Sequence, residues 1–171
     1  MQMVKKIVLF AAVILLSIMI FAPKRELYYL LENRLAGQDI IIDNENIESG
    51  LLSLGLEHPV LYVKGIKVAE IEKVNLFTLL IYSRLSASTI KVDASLRRWI
   101  PGVIERVNID YQLLSPNRLT LEIEGPFGRA TGYLLLKKHL LHLDLTEEKE
   151  LGAMKNLLKK GEKGWYYETS F

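Results

Sequence analysis

Three histidines and one pair of carboxylates are the side chains whose types and spacing could do chemistry. His139 and His142 stand three apart in a segment that alternates like a strand, which sends them to opposite faces, so a shared metal ion is not expected. They read as rim or surface histidines. His58 lies beside Pro59 in a turn without a neighbouring ligand. Glu122 and Glu124 do share a face, as a general acid and base must, but alternating Glu on the wet side of a strand is the ordinary solvated pattern. Gly161-Glu162-Lys163-Gly164 lacks the spacing and the Lys-Ser/Thr pair of a phosphate loop, and neither G-x-S-x-G nor H-E-x-x-H occurs. The expectation is a chain with no catalytic, cofactor-binding or metal-binding residues, and not an enzyme.

Composition narrows the classes further. Half of the 171 residues are hydrophobic and 25% are charged, enough apolar material for a core. Lys5 and Lys6 supply the whole formal charge of +2, so the remainder is neutral and lacks the basic surplus that phosphate contacts need. No nucleic-acid partner is expected. Cysteine is absent, which excludes disulfides and thiolate chemistry and leaves the fold to stand on packing.

The elements that must carry any function begin with the N-terminus. After Lys5 and Lys6, residues Ile7 to Ala22 form an apolar run interrupted only by Ser17 and closed by Pro23, Lys24 and Arg25. As a helix it would measure about 24 Å, at the short edge of a bilayer core of about 30 Å, with snorkelling lysines covering the difference. A cleaved signal peptide would share the basic start. Ile20-Phe21-Ala22-Pro23 is a poor cleavage site, however, so residues 1–23 are expected to be a cytoplasmic tip and transmembrane anchor. Its bilayer-facing residues would be Ile7, Leu9, Phe10, Ile14, Leu15, Leu16, Ile18, Ile20 and Phe21. The short N-terminal flank favours an N-terminus in the cytoplasm and a domain outside.

Residues 24–37 suggest a juxtamembrane amphipathic helix with Leu27, Leu30, Leu31 and Leu35 on one face and Gly37 as its stop. Tyr28 and Tyr29 suit either the headgroup level or packing against the first strand. From residue 38 to 171 the period becomes two. Val107, Ile109 and Tyr111 alternate with polar residues, as do Leu119, Leu121 and Ile123, and Ser115-Pro116-Asn117 turns one segment into the other. Gly125-Pro126-Phe127-Gly128 is a second turn, followed by strands near 129–137 and 139–145; weaker alternation upstream suggests five more strands.

Leu76 to Leu85 is too continuously apolar for a strand with one wet face, which suggests a short helix covering the sheet or a second buried element. Ser95 to Ile100 suggests a helical turn anchored by Trp99. Thr146, Glu147 and Glu148 look like a helix start, with Leu151, Met154 and Leu158 on one face and lysines at the end. Trp165, Tyr166 and Tyr167 fall in a terminal strand, and with Phe171 they are the candidate partner-docking residues. The fold class is therefore mainly β (α+β): a transmembrane helix, then a curved antiparallel β-meander with short covering helices.

This order of features resembles type II secretion system protein N and, more loosely, the AsmA-like envelope proteins. The likeness rests on the anchor, the segment LENRLAGQDIII, the hairpin LLSPNRLTLEIEGPFGRATGYLLL and the closing Gly-Trp-Tyr-Tyr-Glu. The resemblance implies a bacterial inner-membrane protein, single-pass, with its C-terminal domain in the periplasm. Two roles follow. One is a non-enzymatic assembly component of an envelope-spanning machine such as a secretion system, pilus or flagellar motor, docking protein partners through strand edges and exposed aromatics. The other is a lipid-binding or lipid-transfer module with an apolar groove. Expected partners are the lipid bilayer and components of an envelope complex, with a homo-oligomer left open. The discriminating feature is whether the domain's own helices fill the inner face of the sheet; Leu76 to Leu85 and Leu151 to Leu158 look able to fill it, so the assembly role is the expected one and lipid handling the alternative.

Overall fold

Side chains that alternate apolar and polar must bury one face of each strand, and the pairing register lines those faces up from strand to strand. A computed structural model describes residues 5–7, 9, 10, 13, 14, 17, 23–43, 45–98, 100–149, 151–161 and 164–171. The helix α1, Lys24–Ala36, precedes twelve strands. They are β1 (Ile40–Asp43), β2 (Asn46–Ser49), β3 (Ser53–Glu57), β4 (Val60–Val63), β5 (Ile66–Thr78), β6 (Tyr82–Val92), β7 (Val103–Gln112), β8 (Arg118–Gly125), β9 (Gly128–Leu135), β10 (Leu140–Glu148), β11 (Lys159–Gly161) and β12 (Gly164–Ser170).

All belong to one antiparallel sheet, and from β5 to β10 each strand pairs with the next. The long β5 takes β4 along its first half and β3 along its second. β3 and β4 are thus one arm broken at His58-Pro59, where proline has no N–H to donate and His58 turns to a φ of 56°. β1 and β2 pair outside that arm, and at the far side β12 lies between β10 and β11.

Two local irregularities interrupt the regular sheet. Pairing skips Glu72 on β5, Thr89 on β6 and the facing Glu105 on β7, and Thr89 takes a φ of 50°, strained for a β-branched residue. Alternation changes phase across this line, so Ile71 and Val74 are both half-buried while Glu72 and Lys73 between them are exposed. The second is Gly132 on β9, where a Cβ would stand 1.9 Å from the carbonyl oxygen of His142 on β10. Only glycine lets these backbones approach so closely.

Two small clusters sit at opposite ends of the inner face. Tyr28 of α1 packs on Leu54 and Leu56, and Phe127 gathers Ala130, Leu145 and Leu158.

Several expectations are corrected. Leu76 to Leu85 is neither a helix nor a buried element: it is the end of β5, a tip at Leu79-Leu80-Ile81 and the start of β6, the tip residues being exposed. The helix expected from Thr146 is absent. Thr146 lies in β10 and its hydroxyl donates to the Arg129 carbonyl at 3.1 Å, so sheet pairing captures the would-be cap, and a 3₁₀ segment at Gly152–Leu157 is all that coils. Gly152, poor in helices, sits where the first turns would have been. On α1 the inward residue is Tyr28, whereas Leu27, Leu30 and Leu31 stay exposed. The turn expected at Ser95 forms, with Asp93 accepting from both the backbone N–H and the hydroxyl of Ser95; Trp99 lies outside the described residues.

No helix among the described residues is long and apolar enough to cross a membrane. Of the expected anchor residues, Ile7, Leu9, Phe10 and Ile14 are helical and exposed, while Leu15, Leu16, Ile18, Ile20 and Phe21 lie outside the described set.

Candidate functional site

The register assembles a surface that no single segment announces. Leu54 faces Leu76, which faces Leu85, then Ile109, Leu121, Gly132, Leu143 and Tyr167, one apolar row across eight strands. A second row beside it runs from Leu56 through Val74, Ala87, Val107, Ile123 and Ala130 to Leu145. Ten hydrophobic side chains among the described residues are buried, and none is below 2% exposed. The middle of the rows, at Ile109 and Leu121, is only half-buried; among the described residues α1 covers one end and the 151–158 segment the other.

Each covered end contains an apolar pocket. One, of about 280 Å³, lies among Ile104, Ile123, Leu143, Leu145 and Tyr167. The other, of about 220 Å³, lies between Tyr28 and Leu31 of α1 and Leu61, Val74 and Leu85 of the sheet. Among the described residues no charged side chain lines either pocket. Such walls suit a hydrocarbon and would penalise an ion or polar ligand, whose water they cannot replace.

The other face is polar and internally paired. Arg84 faces Asp110, Arg106 faces Glu124, and Arg129 reaches Glu124 at 2.5 Å and Glu122 at 3.7 Å. Glu122 and Glu124 are therefore rungs of a charge ladder. His142 belongs to this face, stacked between Tyr133 and Tyr166 at 5.3 and 5.4 Å, with its ring nitrogens 3.0 Å from Glu168 and 3.2 Å from Asp144. His139 turns at a φ of 49° and packs edge-on against Phe171. His58 borders a more open polar hollow of about 560 Å³ with Glu70, Glu72, Thr89 and Lys91. Among the described residues no three His, Asp or Glu side chains are placed to hold a metal ion.

The candidate docking residues divide. Trp165 and Tyr167 pack against the Phe127 cluster, Tyr166 stacks on the opposite face, and Phe171 is exposed at the end of β12. The terminal strand is not a free edge along its length. Tyr166 and its predecessors pair with β11, and because the Phe171 N–H donates to the His139 carbonyl, the outward backbone positions left beyond β11 are Glu168 and Ser170.

Sequence reading missed the hairpin tips. Leu51, Leu80, Ile81, Leu114 and Leu136 are 69, 46, 59, 86 and 40% exposed. The available signal was apolar residues where turn chemistry favours polar ones.

Compared with known proteins, the chain matches no family model, no curated protein and no solved structure.

Proposed function

We propose that this chain is a membrane-tethered, non-enzymatic lipid-binding module whose curved sheet accepts acyl chains along its inner face. The observation that carries the reading is the apolar row from Leu54 to Tyr167, covered at both ends and, among the described residues, only half-buried in its middle. Of the two segments expected to fill it, Leu76 to Leu85 contributes strands and a tip instead, and Leu151 to Leu158 packs on the Phe127 end. The tether is the apolar run from Ile7 to Ala22, whose Ile7, Leu9 and Phe10 side chains are each about two thirds exposed. Placement in a bacterial inner membrane with the domain in the periplasm follows the resemblance to the AsmA-like proteins.

The test is titration of the full-length protein in detergent with an environment-sensitive fatty-acid probe. Leu121→Arg puts a cation in the middle of the row and should weaken binding by about tenfold or more, since a buried unpaired charge costs at least several kcal/mol. Thr120→Arg, on the polar face, should bind as the parent does. Equal binding by both variants contradicts the reading.

A second reading, docking within an envelope-spanning machine, is favoured by the outward backbone of Glu168 and Ser170, a short edge suited to strand addition.

A further inference from the structure

Ile66, 61% exposed, marks the β4–β5 turn at one end of the sheet, while the tips at Leu51, Leu80-Ile81, Leu114 and Leu136 lie at the other. Cross-strand hydrogen bonds tie them in sequence: Thr78 N–H to the Leu52 carbonyl, Leu113 N–H to Ile81, Leu136 N–H to Asn117, and Phe171 N–H to His139, at 2.9, 3.0, 2.9 and 3.0 Å. The tips at 50–52, 79–81, 113–117 and 136–139, with Phe171, therefore form one continuous rim. It presents Leu51, Leu80, Ile81, Leu114, Leu136 and Phe171 to the outside. Its side-chain charges are Lys137 and Lys138, both exposed, and no carboxylate side chain interrupts it.

The chain enters the domain at this same end. Arg25, near the start of α1, donates from Nε to the Ser49 hydroxyl at 3.0 Å, beside the Leu51 tip, and Tyr28 fixes the helix on the sheet. The C-terminal end of α1 leads away to the opposite end, where the Lys64 N–H bonds to the Asp39 carbonyl. Pro23, where α1 begins, thus lies on the rim side.

We infer that this rim is a second membrane contact: the hairpin tips sit in the headgroup and upper acyl region of the bilayer that the N-terminal segment enters, with Lys137 and Lys138 against anionic headgroups. The inference rests on the tether proposed above. An apolar rim flanked by lysines is the composition that interfacial membrane contacts use. A protein partner would have to displace lipid from a surface that the tether holds beside it. The contact also brings Leu119, Leu134 and Leu141, which face one another next to the tips, to the bilayer surface as an apolar way into the inner face.

The absence of cysteine allows single-site labelling. Full-length Leu114→Cys and Leu80→Cys, and Lys64→Cys at the opposite end as the reference, each carry an environment-sensitive fluorophore and are reconstituted into vesicles containing phosphatidylglycerol and a lipid-borne quencher. The expected result is flotation of all three, blue-shifted emission and loss of most fluorescence at positions 114 and 80, and aqueous-type emission at 64. Two independent tips keep the result readable if one variant fails to fold. Flotation with aqueous-type emission at 114 and 80 overturns the rim contact and leaves the tether standing. Failure of every variant to float overturns both.

Discussion

The Arg84 guanidinium holds both carboxylate oxygens of Asp110, at 2.7 and 2.9 Å, from directly opposite positions on β6 and β7. Those bonds, helped by one from the Tyr82 hydroxyl at 2.5 Å, keep the Asp110 carboxyl below its ordinary range against the opposing effect of burial. A depressed carboxyl stabilises the fold above the unfolded value, and the contribution is lost as pH falls through the folded one. Because the pair is partly exposed, Asp110→Asn should cost only about 0.5–1 kcal/mol at pH 7. Urea midpoints should show that cost shrinking below about pH 4. An unchanged difference at pH 2.5 would contradict the assignment.

Tyr28 behaves in the opposite sense. Burial, followed by the hydrogen bond it donates to Glu45 at 2.8 Å, pushes the phenol well above its ordinary value. Its neutral form contributes stability that is complete below about pH 10 and declines as pH rises toward the folded value. Tyr28→Phe should lose about 1 kcal/mol at pH 7 and show a shallower alkaline decline than the parent. Tyr28→Ala should lose about 3 kcal/mol, through the cavity left on Leu54 and Leu56. Parallel alkaline curves for parent and Tyr28→Phe would count against this role.

Gly132→Ala should destabilise the sheet by at least about 2 kcal/mol, because the new methyl meets the His142 carbonyl backbone and neither can yield cheaply. Gly65→Ala is the comparison. Its Cβ meets nothing within 4 Å, and only its φ of 74° opposes the change. Thermal unfolding of the two variants should rank Gly132→Ala as the more damaged, and the reverse ranking would remove the close approach as the reason glycine stands at 132.

The strands with one wet face were legible in the sequence. Val107, Ile109 and Tyr111 and then Leu119, Leu121 and Ile123 share the inner face as their alternation implied, with the Ser-Pro-Asn turn between them. Upstream the pattern was weak for a physical reason: the skipped residues at Glu72, Thr89 and Glu105 invert the phase mid-strand, so no single period runs through β5, β6 or β7. Leu76 to Leu85 misled because an apolar tip joins two apolar strand ends, and continuous hydrophobicity cannot separate that from a helix. The rows themselves were hidden, since register is a property of pairs of strands.

Trp165 and Phe171, grouped by the sequence as docking residues, should separate on substitution. Trp165 packs on the Phe127 cluster beneath Lys155 and Lys160, whose amines lie 5.6 and 5.9 Å from its ring. Trp165→Ala should cost about 2 kcal/mol of stability. Phe171→Ala, at the rim, should leave the melting temperature nearly unchanged while weakening vesicle association. Equal melting temperatures for the two variants would place Trp165 outside the core.

The central claim is that the inner face of the sheet carries lipid, and the most direct measurement is affinity purification of the full-length protein from its own membranes in mild detergent. Mass spectrometry then reads both co-purifying lipids and proteins. The account predicts acyl lipid in stoichiometric amount on the parent and its loss from Leu121→Arg. Defined secretion, pilus or motor components recovered without enriched lipid would contradict it and favour the docking role instead.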